Sequence, residues 1–242
     1  MHEMDYWAIA ERGLEIQNPI TDRKMRLLDD YCVIGDGMSV LDIGCGKAWL
    51  LRQWAERYDI RGTGIDINRH FLDHARKKSE SKGLGARLKF VLGPAADYKP
   101  EPASFDVALC LGTAFALGGF VAALEWMATV VRPGGSIVIG DLILKHRPLV
   151  HADEVLPLDA LDTIALVERH GSEVSATISA SDADFERYIS HHRQATLAWA
   201  REHPDHHDHA DVLSRSRTEW QRYLRTIRPY LGWTIVVGRR ND

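Results

Sequence analysis

The stretch from Val40 to Trp49, VLDIGCGKAW, puts an acidic residue near the end of an apolar run, then two glycines, then a helical pattern. Glycine lets a backbone turn tightly and approach a ligand where a side chain would collide. Asp42 stands two residues before Gly44, where a negative charge repels a pyrophosphate and suits a cationic amino-acid moiety. A G-x-G-x-x-G dinucleotide loop needs a third glycine, and Trp49 occupies its place. Asp66 follows 20 residues beyond Gly46, within GTGIDI, where a carboxylate can accept hydrogen bonds from two ribose hydroxyls. Such a carboxylate serves a nicotinamide dinucleotide and a sulfonium nucleoside alike.

These residues need strands and helices that hold them at one edge of a sheet. From Ser39 the apolar runs VLDI, IRGTGID, ARLKFVLG, FDVALCLG and GGSIVIGD alternate with helical patterns over 49–58, 68–82 and 120–131. Five strands joined by helix-length crossovers imply a parallel sheet covered on both faces. Ligands of such sheets bind at the carboxyl edge, where strand order reverses. Two helices, roughly Asp5 to Leu14 and Ile20 to Cys32, precede the sheet and break at Asn18-Pro19, because proline disfavours helix for the residue before it. After Asp141 come prolines at Pro148 and Pro157 and a helix from about Leu158 to Arg169. The alternating run SEVSATISAS, helices over about 182–202 and 212–227, and the β-branched strand LGWTIVVGR complete the chain. The expected architecture is α/β: a doubly wound, seven-stranded, mostly parallel sheet with an N-terminal helical cap and a helical insertion before the last strands. One domain spans 1–242, with the cap over 1–36, a cofactor-binding core over 37–145 and the insertion and final strands over 146–242.

With 45% hydrophobic and 26% charged residues the chain falls among soluble globular proteins rather than disordered or fibrous ones. Its 242 residues suit one core. A net charge of -4 disfavours nucleic acid as partner, and the late arginines, Arg215 to Arg228, fit a solvated helix face. No secretory signal and no membrane-spanning run stands out, and Cys32, Cys45 and Cys110 form no CxxC pair. A cytoplasmic location is expected.

VLDIGCG followed by GIDI resembles the first two motifs of the class I S-adenosylmethionine-dependent methyltransferases. The resemblance continues through AADY, FDVALCLG and VRPGGSIVIGD, covers roughly Ser39 to Asp141, and includes the placement of LGWTIVVG as last strand. It implies S-adenosyl-L-methionine as cofactor. Asp42 and the backbone of Gly44, Cys45 and Gly46 would hold the methionyl part and Asp66 the ribose. Ile67 would flank the adenine, with Ala96 and Asp97 near its edge, and Cys110, Leu111 and Gly112 would face the methionyl chain and sulfonium. Where many members carry a third glycine this chain has Ala48, whose methyl group demands negative φ or a wider approach.

The family's reaction is an in-line displacement, so most of the task is positioning, with a base required where the nucleophile carries a proton. Asp141, closing the fifth strand, is the leading candidate for base or substrate anchor, with His146 second. Tyr188, His191 and His192 lie on the inserted helix expected to cover the pocket. Tyr6 and Trp7 can pack as cap or face the sulfonium, and Asn18-Pro19 can hinge that cap. His203 to His209 is metallophilic in composition, but its contiguity and lack of apolar cover predict no specific metal site. Cys110 reads as strand filling. The signature for methylating amide or base nitrogens is missing after the fourth strand, where LGTAFALGG stands. That small apolar segment and the long insertion point to a small-molecule acceptor, with no nucleic acid and no membrane partner. Two other readings stay open: a methyltransferase-like protein that binds without turnover, and a nicotinamide-dependent dehydrogenase.

Overall fold

A computed structural model describes residues 1–145 and 157–241. His146 and the Arg147-Pro148 break lie outside the described residues. Seven strands form one sheet in the order β3-β2-β1-β4-β5-β7-β6. They are β1 (Ser39–Ile43), β2 (Arg61–Asp66), β3 (Leu88–Leu92), β4 (Phe105–Leu111), β5 (Val131–Leu144), β6 (Ser172–Ser179) and β7 (Leu231–Arg240). β1 to β5 pair in parallel, and β7 runs antiparallel to both β5 and β6. Strand order reverses between β1 and β4, which opens a crevice at their carboxyl ends.

The unbroken apolar runs follow from a sheet covered on both faces. Side chains alternate: Val40, Val107, Leu109 and Val138 pack on one face, and Leu41, Ala108, Cys110, Ile137 and Ile139 on the other. The first face receives α4 (Trp49–Arg57) and α5 (Arg69–Ser81) through Leu51, Trp54, Leu72 and Ala75. The second receives α6 (Phe120–Val130) and α7 (Ala160–Arg169) through Leu124, Met127 and Val167.

The N-terminal cap consists of α1 (Glu3–Ala10) and two short turns of helix, α2 (Asp22–Met25) and α3 (Leu27–Tyr31), so the second expected helix is divided at Arg26. Asp29 of α3 is buried and accepts hydrogen bonds from Trp54 Nε1 and Arg57, which fixes the cap to α4. The insertion contributes α8 (Asp182–Glu202) and α9 (His209–Arg222). α8 starts at a reciprocal capping box of Ser181 and Asp184. Arg215 of α9 stacks 4.1 Å over the Tyr6 ring and pairs with Glu3 at 3.3 Å, so α1 is tied to the inserted helices.

The expected order of helix, strand, two helices and last strand is observed, with α8 and α9 between β6 and β7. Three local expectations are revised. The β3–β4 crossover contains a single 3-10 turn, Ala95–Asp97, instead of a helix. β5 continues three residues past Asp141, because Leu142, Ile143 and Leu144 extend its pairing with β7. Ala48 adopts the left-handed conformation, φ 53° and ψ 40°, and caps α4 with its methyl fully buried. An L-residue there carries a penalty of roughly 1–2 kcal/mol, which the glycine of other loops avoids.

Candidate functional site

A cavity of about 590 Å³ opens over the carboxyl ends of β1, β2 and β4. That size lies within the usual range for small-molecule sites. Gly44, Gly46, Asp66, Ile67, Leu111 and Gly112 line it. A side recess of about 50 Å³ shares Gly44, Gly46 and Leu111 with the cavity and has Asp42 and Cys45 in its wall. Eight of the expected cofactor residues are therefore brought together.

The glycine loop fits this place because its backbone runs against side chains on both flanks. Gly44 has φ +67°, and a Cβ on it would lie 2.2 Å from Thr113 Cγ2. Thr113 Oγ1 donates to the Ile43 carbonyl at 2.7 Å, so the threonine bridges the ends of β4 and β1. Gly46 has φ +52°, and its Cβ would lie 2.0 Å from Gln17 Oε1. Cys45 turns under the loop against Gly64, where burial drives its thiol well above the usual range. Cys110 is fully buried in the α6 face with its thiol pushed up to about 12, first by burial. It is strand filling and does not line the cavity.

Asp42 is 6% exposed, and its carboxylate accepts no hydrogen bond among the described residues. Burial, then the charge of Asp66, pushes its pKa up to about 7. A buried carboxylate without a partner is costly unless a cation joins it. Asp66 is locked differently: Oδ2 accepts the Gly46 N–H at 2.8 Å and Oδ1 the Asn68 N–H at 2.7 Å. Each oxygen keeps a further lone pair for a ligand. Burial raises the Asp66 pKa, against the opposing pull of the two backbone donors. Ile67, beside it, is 49% exposed and forms an apolar shelf on the cavity wall. An acidic recess, a ribose-sized acceptor pair and an apolar shelf together match the ammonium, sugar and base of S-adenosylmethionine.

Ala96 and Asp97 are exposed and outside the lining, and Ala95 faces the cavity in their place. Asp141 does not line it either. It sits inside β5 opposite Thr234, and Oδ1 accepts the N–H of Leu142 at 2.7 Å. Trp7 and Tyr188 line the cavity, whereas Tyr6 is buried beneath Arg215 and His191 is exposed. Asn18 and Pro19 form part of the wall, with Asn18 Oδ1 accepting the Ile20 N–H at 3.0 Å. His206, His207 and Asp208 bring ligand atoms within 4.8 Å of one another, away from the cavity lining.

Several residues join the site without a local sequence signal. Lys47 Nζ is buried and donates to the carbonyls of Glu11, Arg12 and Leu14 at 2.8, 3.2 and 2.6 Å. Its ammonium caps the end of α1, and burial lowers its pKa. Gln17 Oε1 accepts the Lys47 N–H at 2.6 Å, and Glu15 pairs with Arg52 and with His74 at 2.9 Å. Glu11, Phe185 and Trp233 also line the cavity.

The family model for a methyltransferase domain matches residues 40–135. YjhP of Escherichia coli is 28% identical over 241 residues, covering 96% of either chain. An O-methyltransferase of Aspergillus nomiae is 31% identical over 139 residues, which cover 57% of this chain and 61% of that one. The crystal structure of a methyltransferase from Geobacter sulfurreducens in complex with S-adenosyl-L-homocysteine superposes with a TM-score of 0.90 at 28% identity, covering 98% of each chain. Fold, glycine loop and paired carboxylates define a methyltransferase of the Rossmann-like type. Residues 40–135 form a methyltransferase domain of the class I S-adenosylmethionine-dependent type. This displaces the nicotinamide reading. No helix among the described residues is long and apolar enough to cross a membrane.

Proposed function

We propose that the protein methylates a hydroxyl group of a small, largely apolar molecule held in the cavity beside the glycine loop. Asp42 receives the ammonium group of the cofactor, the backbone of Gly44 to Gly46 lies along its methionyl part, and Asp66 receives the ribose hydroxyls. When bound, S-adenosylmethionine supplies an electrophilic methyl group on a sulfonium. The chain's own task is to hold the acceptor in line and keep water out. Trp7, Phe115, Phe185 and Trp233 provide apolar walls for this purpose.

The observation that carries the reading is the composition of the wall. Its described residues are mostly apolar or aromatic, include the carboxylates Glu3, Glu11 and Asp66, and include no lysine or arginine. An anionic acceptor would meet negative charge without a counter-ion. The similarity to an O-methyltransferase of Aspergillus nomiae supports oxygen as the accepting atom. Incubation with S-adenosylmethionine and a panel of neutral phenols, alcohols, amines and carboxylated analogues tests it by mass spectrometry. Methyl ethers of neutral hydroxyl compounds are expected, and products formed only from carboxylated or nitrogen acceptors would overturn the reading.

A further inference from the structure

Three segments of the chain bring four polar residues together at the cavity wall, and the group is one proton short of full pairing. Glu11, the residue that ends α1, presents Oε1 to the Tyr188 hydroxyl of α8 at 2.6 Å. The same hydroxyl lies 3.0 Å from the Gln17 carbonyl oxygen, and Gln17 Nε2 donates to Glu11 Oε2 at 2.7 Å. A phenol has one proton, so Tyr188 cannot satisfy both acceptors fully. His192, one turn further along α8, sets Nε2 3.3 Å from Glu11 Oε1, and that buried nitrogen has no hydrogen-bond partner among the described residues.

One added proton repairs this arrangement. Placed on Glu11, it lets the acid donate to Tyr188 while Tyr188 donates to the Gln17 carbonyl. Placed on His192 Nε2, it puts an imidazolium 3.3 Å from Glu11 Oε1, an ion pair. The first placement gives the cluster a further hydrogen bond on accepting a proton, which is what a base at this wall must do. Glu11 and Tyr188 line the cavity, and His192 lies behind them, its ring 4.2 Å from that of Tyr188. The other charged groups facing Glu11 are Lys47, whose ammonium sits on the Glu11 carbonyl, and Asp66 across the cavity wall.

We propose that Glu11 is the base that deprotonates an uncharged hydroxyl acceptor, with Tyr188 and His192 as its positioning residues. This rests on the hydroxyl reading above. In the step, the acceptor's O–H proton passes to Glu11 Oε1 while an oxygen lone pair forms the new O–C bond. The electrons of the C–S bond stay with sulfur, which becomes a neutral thioether, and the proton leaves by way of His192.

The test measures S-adenosylhomocysteine formation across pH with 2-naphthol and with the more acidic 4-nitrophenol, for wild type, Glu11→Gln and Glu11→Asp. Glu11→Gln is expected to lose at least about 100-fold in kcat on naphthol, the usual scale of a general base, with its S-adenosylhomocysteine affinity kept within about twofold. The loss should shrink on nitrophenol and as pH rises toward ionisation of the naphthol, and Glu11→Asp should recover about tenfold. A Gln variant as fast as wild type, or equally slow on both phenols at every pH, would overturn the role of Glu11. Absence of recovery in Glu11→Asp would assign the residue to packing of the cap. If wild type methylates neither phenol nor any other neutral hydroxyl compound of the panel, the hydroxyl reading falls and takes this inference with it.

Discussion

Gln17 Oε1 accepts a 2.6 Å hydrogen bond from the backbone N–H of Lys47, so a residue of the cap rests on the glycine loop across 30 positions of sequence. Gly46 lies directly beneath, since a Cβ there would come within 2.0 Å of that oxygen. Gly46→Ala must then displace Gln17 and place an L-residue at positive φ, which alone costs roughly 1–2 kcal/mol. The variant is expected to melt several degrees lower and to bind S-adenosylhomocysteine about tenfold more weakly. Thermal unfolding and calorimetry check both, and unchanged values would mean that the cap does not rest on the loop.

Lys47 makes the reciprocal connection through three carbonyls at the end of α1. Lys47→Met keeps most of the length of the side chain and removes the donors, leaving buried carbonyls unpaired at about 1–3 kcal/mol. Limited proteolysis should then cut the first 20 residues faster than in wild type, and added S-adenosylhomocysteine should slow the cutting. Equal cleavage rates would show that the ammonium does not hold the cap.

Asp42 ionises in the folded, ligand-free protein only around pH 7, well above its unfolded value. The folded state therefore holds the extra proton, and stability falls as pH rises from the unfolded carboxylate range toward about 7. Asp42→Asn removes this penalty. At about pH 8 the ligand-free variant is expected to melt roughly 2–8 °C above wild type, with a smaller gain at about pH 5. A lower melting temperature at the higher pH would contradict the burial of an uncompensated charge.

The same shift makes cofactor affinity depend on pH. Binding an ammonium group favours ionised Asp42, so affinity should increase with pH up to about 7 and level off above it. In calorimetry below that value, binding should release a proton, seen as a heat that varies with the ionisation enthalpy of the buffer. A flat affinity between about pH 5 and 8 would remove Asp42 from the ammonium site.

The parts of the site written in consecutive residues were legible in the sequence. Asp42 with Gly44 and Gly46 is one strand end and one turn, and Asp66 ends the next strand, so their chemistry and spacing show in the letters. Asp141 was misplaced because Leu142, Ile143 and Leu144 prolong β5, turning a strand end into a mid-strand position. Ala96 and Asp97 shifted by one residue when AADY formed a 3-10 turn that points Ala95 inward. Glu11, Gln17 and Lys47 left no local trace, since their partners come from α1, the glycine loop and α8 and meet only in the folded chain. Ala48 shows a local rule overruled: the buried loop imposes positive φ on a residue that ordinarily avoids it.

The most direct measurement is calorimetric titration of S-adenosylhomocysteine and of NAD into wild type and Asp42→Ala at about pH 8. Wild type should bind the first ligand and leave the second unbound. The variant should stay folded and lose at least about 30-fold in affinity, as removal of a charge-assisted bond of about 2 kcal/mol or more implies. Equal affinity in a folded Asp42→Ala, or tight binding of NAD alone, would contradict the assignment of the acidic recess to the cofactor's ammonium group.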